Sequence, residues 1–139
     1  MMLGSELRQS QWQREFLDLA SKNGALKFDR KIAEHLAKIL PKEKTVLIDA
    51  FAGAGGNSIA FALSGRFDRI FAIEKDEEVL KCAKHNAEIY GVKNKIWFVK
   101  GDCFNVLPKQ YKKIGKDAVI FASPPWGGMF SCLIFHTYR

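Results

Sequence analysis

Cysteine is scarce in this chain: Cys82, Cys103 and Cys132 are the only three, far apart, and no two form a CxxC pair. An odd, dispersed set supports no disulfide framework, and without a Cys/His cluster there is no zinc ligand set, so a reducing, intracellular setting and no metal are expected. Long apolar runs are also missing, and the opening MMLGSELRQSQWQREF is too polar for a secretory signal, so no membrane association is expected. Acidic residues are under-represented, 15 against 22 Lys and Arg, for a formal charge of +7. That excess either favours an anionic partner, nucleic acid being the commonest, or is simply a solvated basic surface; charge leaves both open. Apolar residues are plentiful at 47%, which excludes a disordered chain, and 139 residues fit one compact domain.

What is present is an alternation of elements. Glu6 to Lys22 reads as a first helix with Leu7, Trp12, Phe16 and Leu19 as its apolar stripe. After Asn23-Gly24 a second helix is expected from about Asp29 to Leu40, ended by Pro41, with Ile32, Leu36, Ile39 and Leu40 turned inward. Thr45 to Phe51 is a short apolar run typical of a buried parallel strand, and a glycine cluster then leads into a helix that Asn57 or Ser58 is placed to cap. Arg69 to Lys75, Lys95 to Lys100 and Ala118 to Ser123 read as further strands. Asp76 to Gly91 reads as a helix with Val79, Leu80, Ala83, Ala87 and Tyr90 on one face. The expected fold is α/β, a doubly wound, Rossmann-like and mostly parallel sheet.

In such a sheet ligands bind beyond the carboxyl ends of the strands. The first strand ends in DAFAGAGGN, Asp49 to Asn57, whose glycines at 53, 55 and 56 permit a tight turn and close approach of backbone to ligand. Ser58 stands where the dinucleotide fingerprint needs its third glycine, so the loop departs from the nicotinamide and flavin pattern. Glu74 ends the second strand, placed to accept from ribose hydroxyls or, more plainly, to sit as a charge before a helix. Asp102 ends the third, with Phe104 close behind; it suits an adenine amine, and equally a helix N-cap. The fourth ends in SPPWGG. Pro124 and Pro125 lack backbone donors, so nearby carbonyls and the Ser123 hydroxyl can accept from an exocyclic amine, while Trp126 offers a face for a base. A proline turn with a core tryptophan is the plain alternative, but it leaves four features at four strand ends unexplained.

DAFAGAGGN, Glu74, GDCF and SPPWGG in this order resemble the class I S-adenosylmethionine-dependent methyltransferases. VLIDAFAGAGGNSIAFAL, HNAEIYGV, FASPPWGG and the preceding RKIAEHLA are similar to the trimethylguanosine synthase family, the RNA cap guanosine hypermethylases, over about residues 29–128. The resemblance implies S-adenosylmethionine as cofactor. Asp49 and the loop from Ala52 to Gly56, with Gly53 and Gly55, would contact its methionine part, Glu74 its ribose, and Asp102 with Cys103 its adenine end; Asn57 and Ser123 would also bind the cofactor. Ser123 and Pro124 would hold the guanine amine beside the methyl donor, and Trp126, next to Pro125, would stack on cationic 7-methylguanine. Substrates would be capped small nuclear or nucleolar RNAs, partners the proteins of their particles, and the setting the nucleus, nucleolus or cytoplasm. His35, His85 and His136 lie outside these motifs, and methyl transfer from a sulfonium asks chiefly for orientation and exclusion of water.

Two departures qualify the likeness. KFDR (Lys27 to Arg30) runs directly into KIAEHLA, without the family's segment resembling WFSVTPE, and only eleven residues follow Gly128. The expectation is therefore an N-terminal helical extension over 1–28 and a C-terminally incomplete methyltransferase domain over 29–139, with LIF near the end as a partial edge strand. Another amine-directed methyltransferase of rRNA, tRNA or DNA is the alternative enzyme. A shortened, inactive paralogue that binds only cofactor, RNA or a partner protein is the alternative of another kind.

Overall fold

The computed structural model describes residues 25–123 and 133–135. The helix expected over Glu6 to Lys22 lies outside them. Helix α1 spans Ala25–Ile39, β1 Val46–Asp49, α2 Gly56–Leu63, β2 Arg69–Glu74, α3 Glu77–Ile89, β3 Ile96–Lys100, α4 Cys103–Ile114, β4 Ala118–Ala122 and β5 Leu133–Phe135. The sheet order is β3-β2-β1-β4-β5. Strands β1 to β4 are parallel, and β5 runs antiparallel to β4 with Phe121 opposite Ile134. The LIF segment thus supplies the edge strand its apolar character suggested.

The chain winds outward from β1 through β2 to β3, then crosses back to place β4 on the other side of β1. Right-handed crossovers taken in opposite directions put their helices on opposite faces. Accordingly Leu47, Ile70, Ala72, Val119 and Phe121 share a core with Ala33 and Leu36 of α1, Ile59 of α2 and Ala87 of α3. Cys103, Val106 and Leu107 of α4 pack with Val46, Ile48 and Ile73 on the other face. All four residues of β1 are buried, as a strand paired on both sides and covered on both faces requires. Phe61 packs edge-on to Phe67 and Phe121, with centroids 5.7 and 5.0 Å away.

Local chemistry explains the boundaries. Helix α1 begins at Ala25, before the expected Asp29, and so crosses the expected 28/29 division. It stops before Pro41, which disfavours helical backbone at the residue preceding it. Ile39, expected inward, is 60% exposed, because Ala33, Leu36 and Leu40 already fill the buried face. Neither Asn57 nor Ser58 caps α2: Gly55 holds the N-cap position at φ 92° with no side-chain cap. Asp76 does cap α3, its Oδ1 accepting from the amides of Glu78 and Val79 at 2.9 and 3.2 Å. Helix α4 was anticipated only through the reading of Asp102 as a helix N-cap; Pro108 inside it removes one helical hydrogen bond and breaks the pattern. At the far end of the sheet, Arg66 staples two loops by donating to the carbonyls of Lys44 and Pro41 at 2.9 and 2.6 Å.

Candidate functional site

The reversal of winding leaves β1 and β4 as neighbours, and Ala50 and Phe51 after the one and Ser123 after the other line one cleft. The loop after β1 is drawn across that opening by bonds to both neighbours. The Ala50 amide donates to the Phe121 carbonyl and the Ala52 amide to the Ile73 carbonyl, each at 2.9 Å. Gly53 at φ 54° then turns the chain, a conformation that glycine adopts without strain. Its amide donates to Glu74 Oε2 at 3.0 Å, while Glu74 Oε1 accepts from the Asp76 amide at 3.0 Å. Glu74 is therefore both a strand-end carboxylate and the clamp that fixes the glycine loop to β2. Each of its oxygens keeps a second lone pair for a ligand hydroxyl.

The cleft holds about 330 Å³ and is lined by Phe51, Gly53, Glu74, Lys75, Asp102, Cys103, Phe104 and Ser123, with Ala50, Ile73 and Gly101. Asp102 precedes α4, and its Oδ1 accepts from the Phe104 amide at 2.9 Å. That bond realises the N-cap role, and among the described residues Oδ2 accepts no hydrogen bond. Phe104 is 77% exposed, an apolar ring held at the rim by the helix start rather than used in the core. Burial, followed by the neighbouring Asp102 carboxylate, pushes the Cys103 thiol above its ordinary pKa. That direction favours the neutral thiol, the less nucleophilic form, among the residues that line the site.

Of the residues singled out in the sequence, Gly53, Glu74, Asp102, Cys103 and Ser123 meet around this cleft. Asp49, Ala52, Gly55 and Asn57 do not line it. Asp49 is fully buried and its Oδ2 accepts from the Ser58 hydroxyl at 2.7 Å, tying the end of β1 to the first turn of α2. Pro124, Pro125 and Trp126 lie outside the described residues. Phe51, Lys75 and Gly101 line the cleft without having been singled out. They sit within two residues of the strand ends, so the strand-end rule points to them, but only the fold shows which way each faces. Among the described residues no group of three or more His, Cys, Asp and Glu could hold a metal ion. No helix among them is long and apolar enough to cross a membrane.

A family model of RNA cap guanine-N2 methyltransferases matches residues 44–131. The chain belongs to that family. Its members are S-adenosylmethionine-dependent methyltransferases, and the matched span runs from the start of β1 past the SPPWGG corner. The chain is 34% identical over 97 residues to the trimethylguanosine synthase of Saccharomyces cerevisiae, covering 70% of this chain and 30% of that protein. It is 36% identical over 101 residues to the one of Schizosaccharomyces pombe, covering 70% and 41%. The aligned part thus spans less than half the length of these relatives. Among solved structures, a SAM-dependent methyltransferase from Agrobacterium tumefaciens superposes with a TM-score of 0.59 at 13% identity, covering 72% of this chain and 31% of that one. That likeness establishes the Rossmann-like methyltransferase fold.

Proposed function

We propose that this chain binds S-adenosylmethionine in the cleft and transfers its methyl group to the exocyclic amine of a 7-methylguanosine RNA cap. The observation that carries the reading is the convergence of Gly53, Glu74, Asp102, Phe104 and Ser123 at the point where the winding reverses. The residues fit the cofactor: two carboxylates for hydroxyls and an amine, an exposed ring for a base, and a glycine turn that admits a chain close to the backbone. The bound cofactor supplies a methyl group on sulfonium sulfur, already activated for displacement.

The protein's part is orientation. Glu74 accepts the ribose hydroxyls, Asp102 accepts the adenine amine, and Phe104 covers the base. Ser123, with the carbonyls beside Pro124, accepts from the guanine amine and aims its lone pair at the methyl carbon; Trp126 stacks on the cationic base. The amine proton is lost to solvent after transfer, so no strong base is needed. Capped small nuclear and nucleolar RNAs, and the proteins of their particles in nucleus, nucleolus or cytoplasm, are the substrates and partners this reading implies.

The test has two stages. S-adenosylhomocysteine at about 100 times its Kd should stabilise the chain by ~2.7 kcal/mol, a rise of several degrees in Tm. Methyl transfer from labelled cofactor should then appear on RNA with a 7-methylguanosine cap and not on the same RNA with an unmethylated cap. A Tm unmoved by S-adenosylhomocysteine would sink the cofactor reading. Transfer to uncapped rRNA, tRNA or DNA would replace the substrate, and binding without any transfer would leave a chain that only binds.

A further inference from the structure

Asn86 is fully buried in α3, outside the cleft, yet its Nδ2 donates to the carbonyl of Ala54 in the glycine loop at 3.0 Å. Three residues earlier on the same helix face, Ala83 meets the next loop residue. A Cβ built on Gly55 would stand 3.2 Å from the Ala83 Cβ. Helix α3 therefore grips the loop at two adjacent positions. The Ala54–Gly55 peptide lies between Gly53 at φ 54° and Gly55 at φ 92°, in a stretch where glycine makes backbone rotation cheap. One end of that peptide, the Gly55 amide, donates to the Ala52 carbonyl at 2.9 Å; the other end, the Ala54 carbonyl, is held by Asn86.

Asn86 has a second feature. Its Oδ1 is buried and has no hydrogen-bond partner among the described residues. A desolvated, unpaired amide oxygen destabilises a fold, and an apolar side chain of the same shape would avoid that cost. What such a side chain could not supply is the donor to Ala54.

Building on the reading that the cleft binds S-adenosylmethionine, we infer that Asn86 is a positioning residue for the amino-acid end of the cofactor. It locks the Ala54–Gly55 peptide in one orientation, so that the loop presents its backbone to the methionine part. Glu74, Asp102 and Phe104 serve the nucleoside end without it. Asn86 does not itself line the cleft, so it acts through the loop.

The consequence is a selective loss. Asn86→Leu keeps size and removes the donor; Asn86→Ala is a smaller second variant. On the 139-residue chain, calorimetric affinities for S-adenosylhomocysteine and for adenosine are compared. Either variant should weaken S-adenosylhomocysteine binding about tenfold, some 1.4 kcal/mol, while adenosine affinity stays within about twofold. A general loss of structure would weaken both ligands alike, and that result, or no change in either, overturns the inference while leaving the cofactor reading intact. Failure of the unsubstituted chain to bind S-adenosylhomocysteine overturns the cofactor reading and this one with it. Should neither variant fold, the unsubstituted chain still decides. Its Asn86 side-chain amide protons should exchange slowly and shift with S-adenosylhomocysteine but not with adenosine; rapid exchange or equal shifts overturn the inference.

Discussion

At the scale of single residues, the cleft is lined by side chains that also hold structure. Asp102 is the clearest instance, since its Oδ1 caps α4 through the Phe104 amide at 2.9 Å while the residue lines the cleft. The two roles separate by substitution. Asn is as good an N-cap as Asp but turns half of the acceptor into a donor. Asp102→Asn should therefore keep the Tm within a degree or two, yet weaken S-adenosylhomocysteine binding about tenfold, as loss of a charge-assisted hydrogen bond implies. Asp102→Ala should lose that affinity and also about 1 kcal/mol of stability. Calorimetry with denaturant unfolding checks both, and unchanged affinity in Asp102→Asn would leave only the cap. The acid at Glu74 was legible as a strand-end carboxylate. That it also accepts the Gly53 amide, 21 residues earlier, was not, because a contact at that separation exists only once β1 and β2 pair.

At the scale of elements, the glycine loop and α2 show how a short helix can start without a side-chain cap. Gly55 occupies the N-cap position in left-handed backbone, and its missing side chain lets α3 approach to within contact of the loop. Gly55→Ala should destabilise the fold by on the order of 1–3 kcal/mol, combining unfavourable φ with crowding at Ala83. Gly53→Ala suffers backbone strain without such crowding, since no described residue lies within 4 Å of its would-be Cβ. Gly55→Ala should have the lower denaturation midpoint of the two, from the crowding at Ala83 together with its less accessible φ of 92° against 54°; equal midpoints would mean that neither contributes. Asn57 and Ser58 were the expected caps because polar residues before an apolar run usually are. Ser58 instead donates inward to buried Asp49, a choice set by tertiary packing. Helix α4 hid behind Pro108, though Cys103, Val106 and Leu107 carry a helical spacing that the core uses.

At the scale of the whole molecule, charge and sheet closure matter most. If the proposed capped-RNA substrate is right, a formal charge of +7 predicts that affinity for it falls steeply with salt, by about 0.7 in log K per unit of log salt for each phosphate contact on a single strand. Affinity for S-adenosylhomocysteine, read by calorimetry over the same salt series, should move far less, since the cleft contacts do not depend on counterion release. Flat RNA affinity would place the basic residues on a merely solvated surface. The three-residue β5 lies antiparallel on β4, so β4 is paired on both sides and β5 forms that edge of the sheet.

The amino-acid sequence alone determined the alternation of strands and helices, because apolar period and glycine or proline breaks are local properties. It also placed the candidate residues at strand ends, because DAFAGAGGN, Glu74 and SPPWGG each follow an apolar run directly and Asp102 follows one after Lys100 and Gly101. Only tertiary structure decided which of those residues share a cleft and which are buried beneath it. Asp49 reads like Glu74 and Asp102, a carboxylate at the end of a strand, yet it lies fully buried against Ser58 while the other two line the opening. The difference is that β1 is central, flanked by β2 and β4 and covered on both faces, so its last residue is enclosed by neighbours that no local pattern reveals.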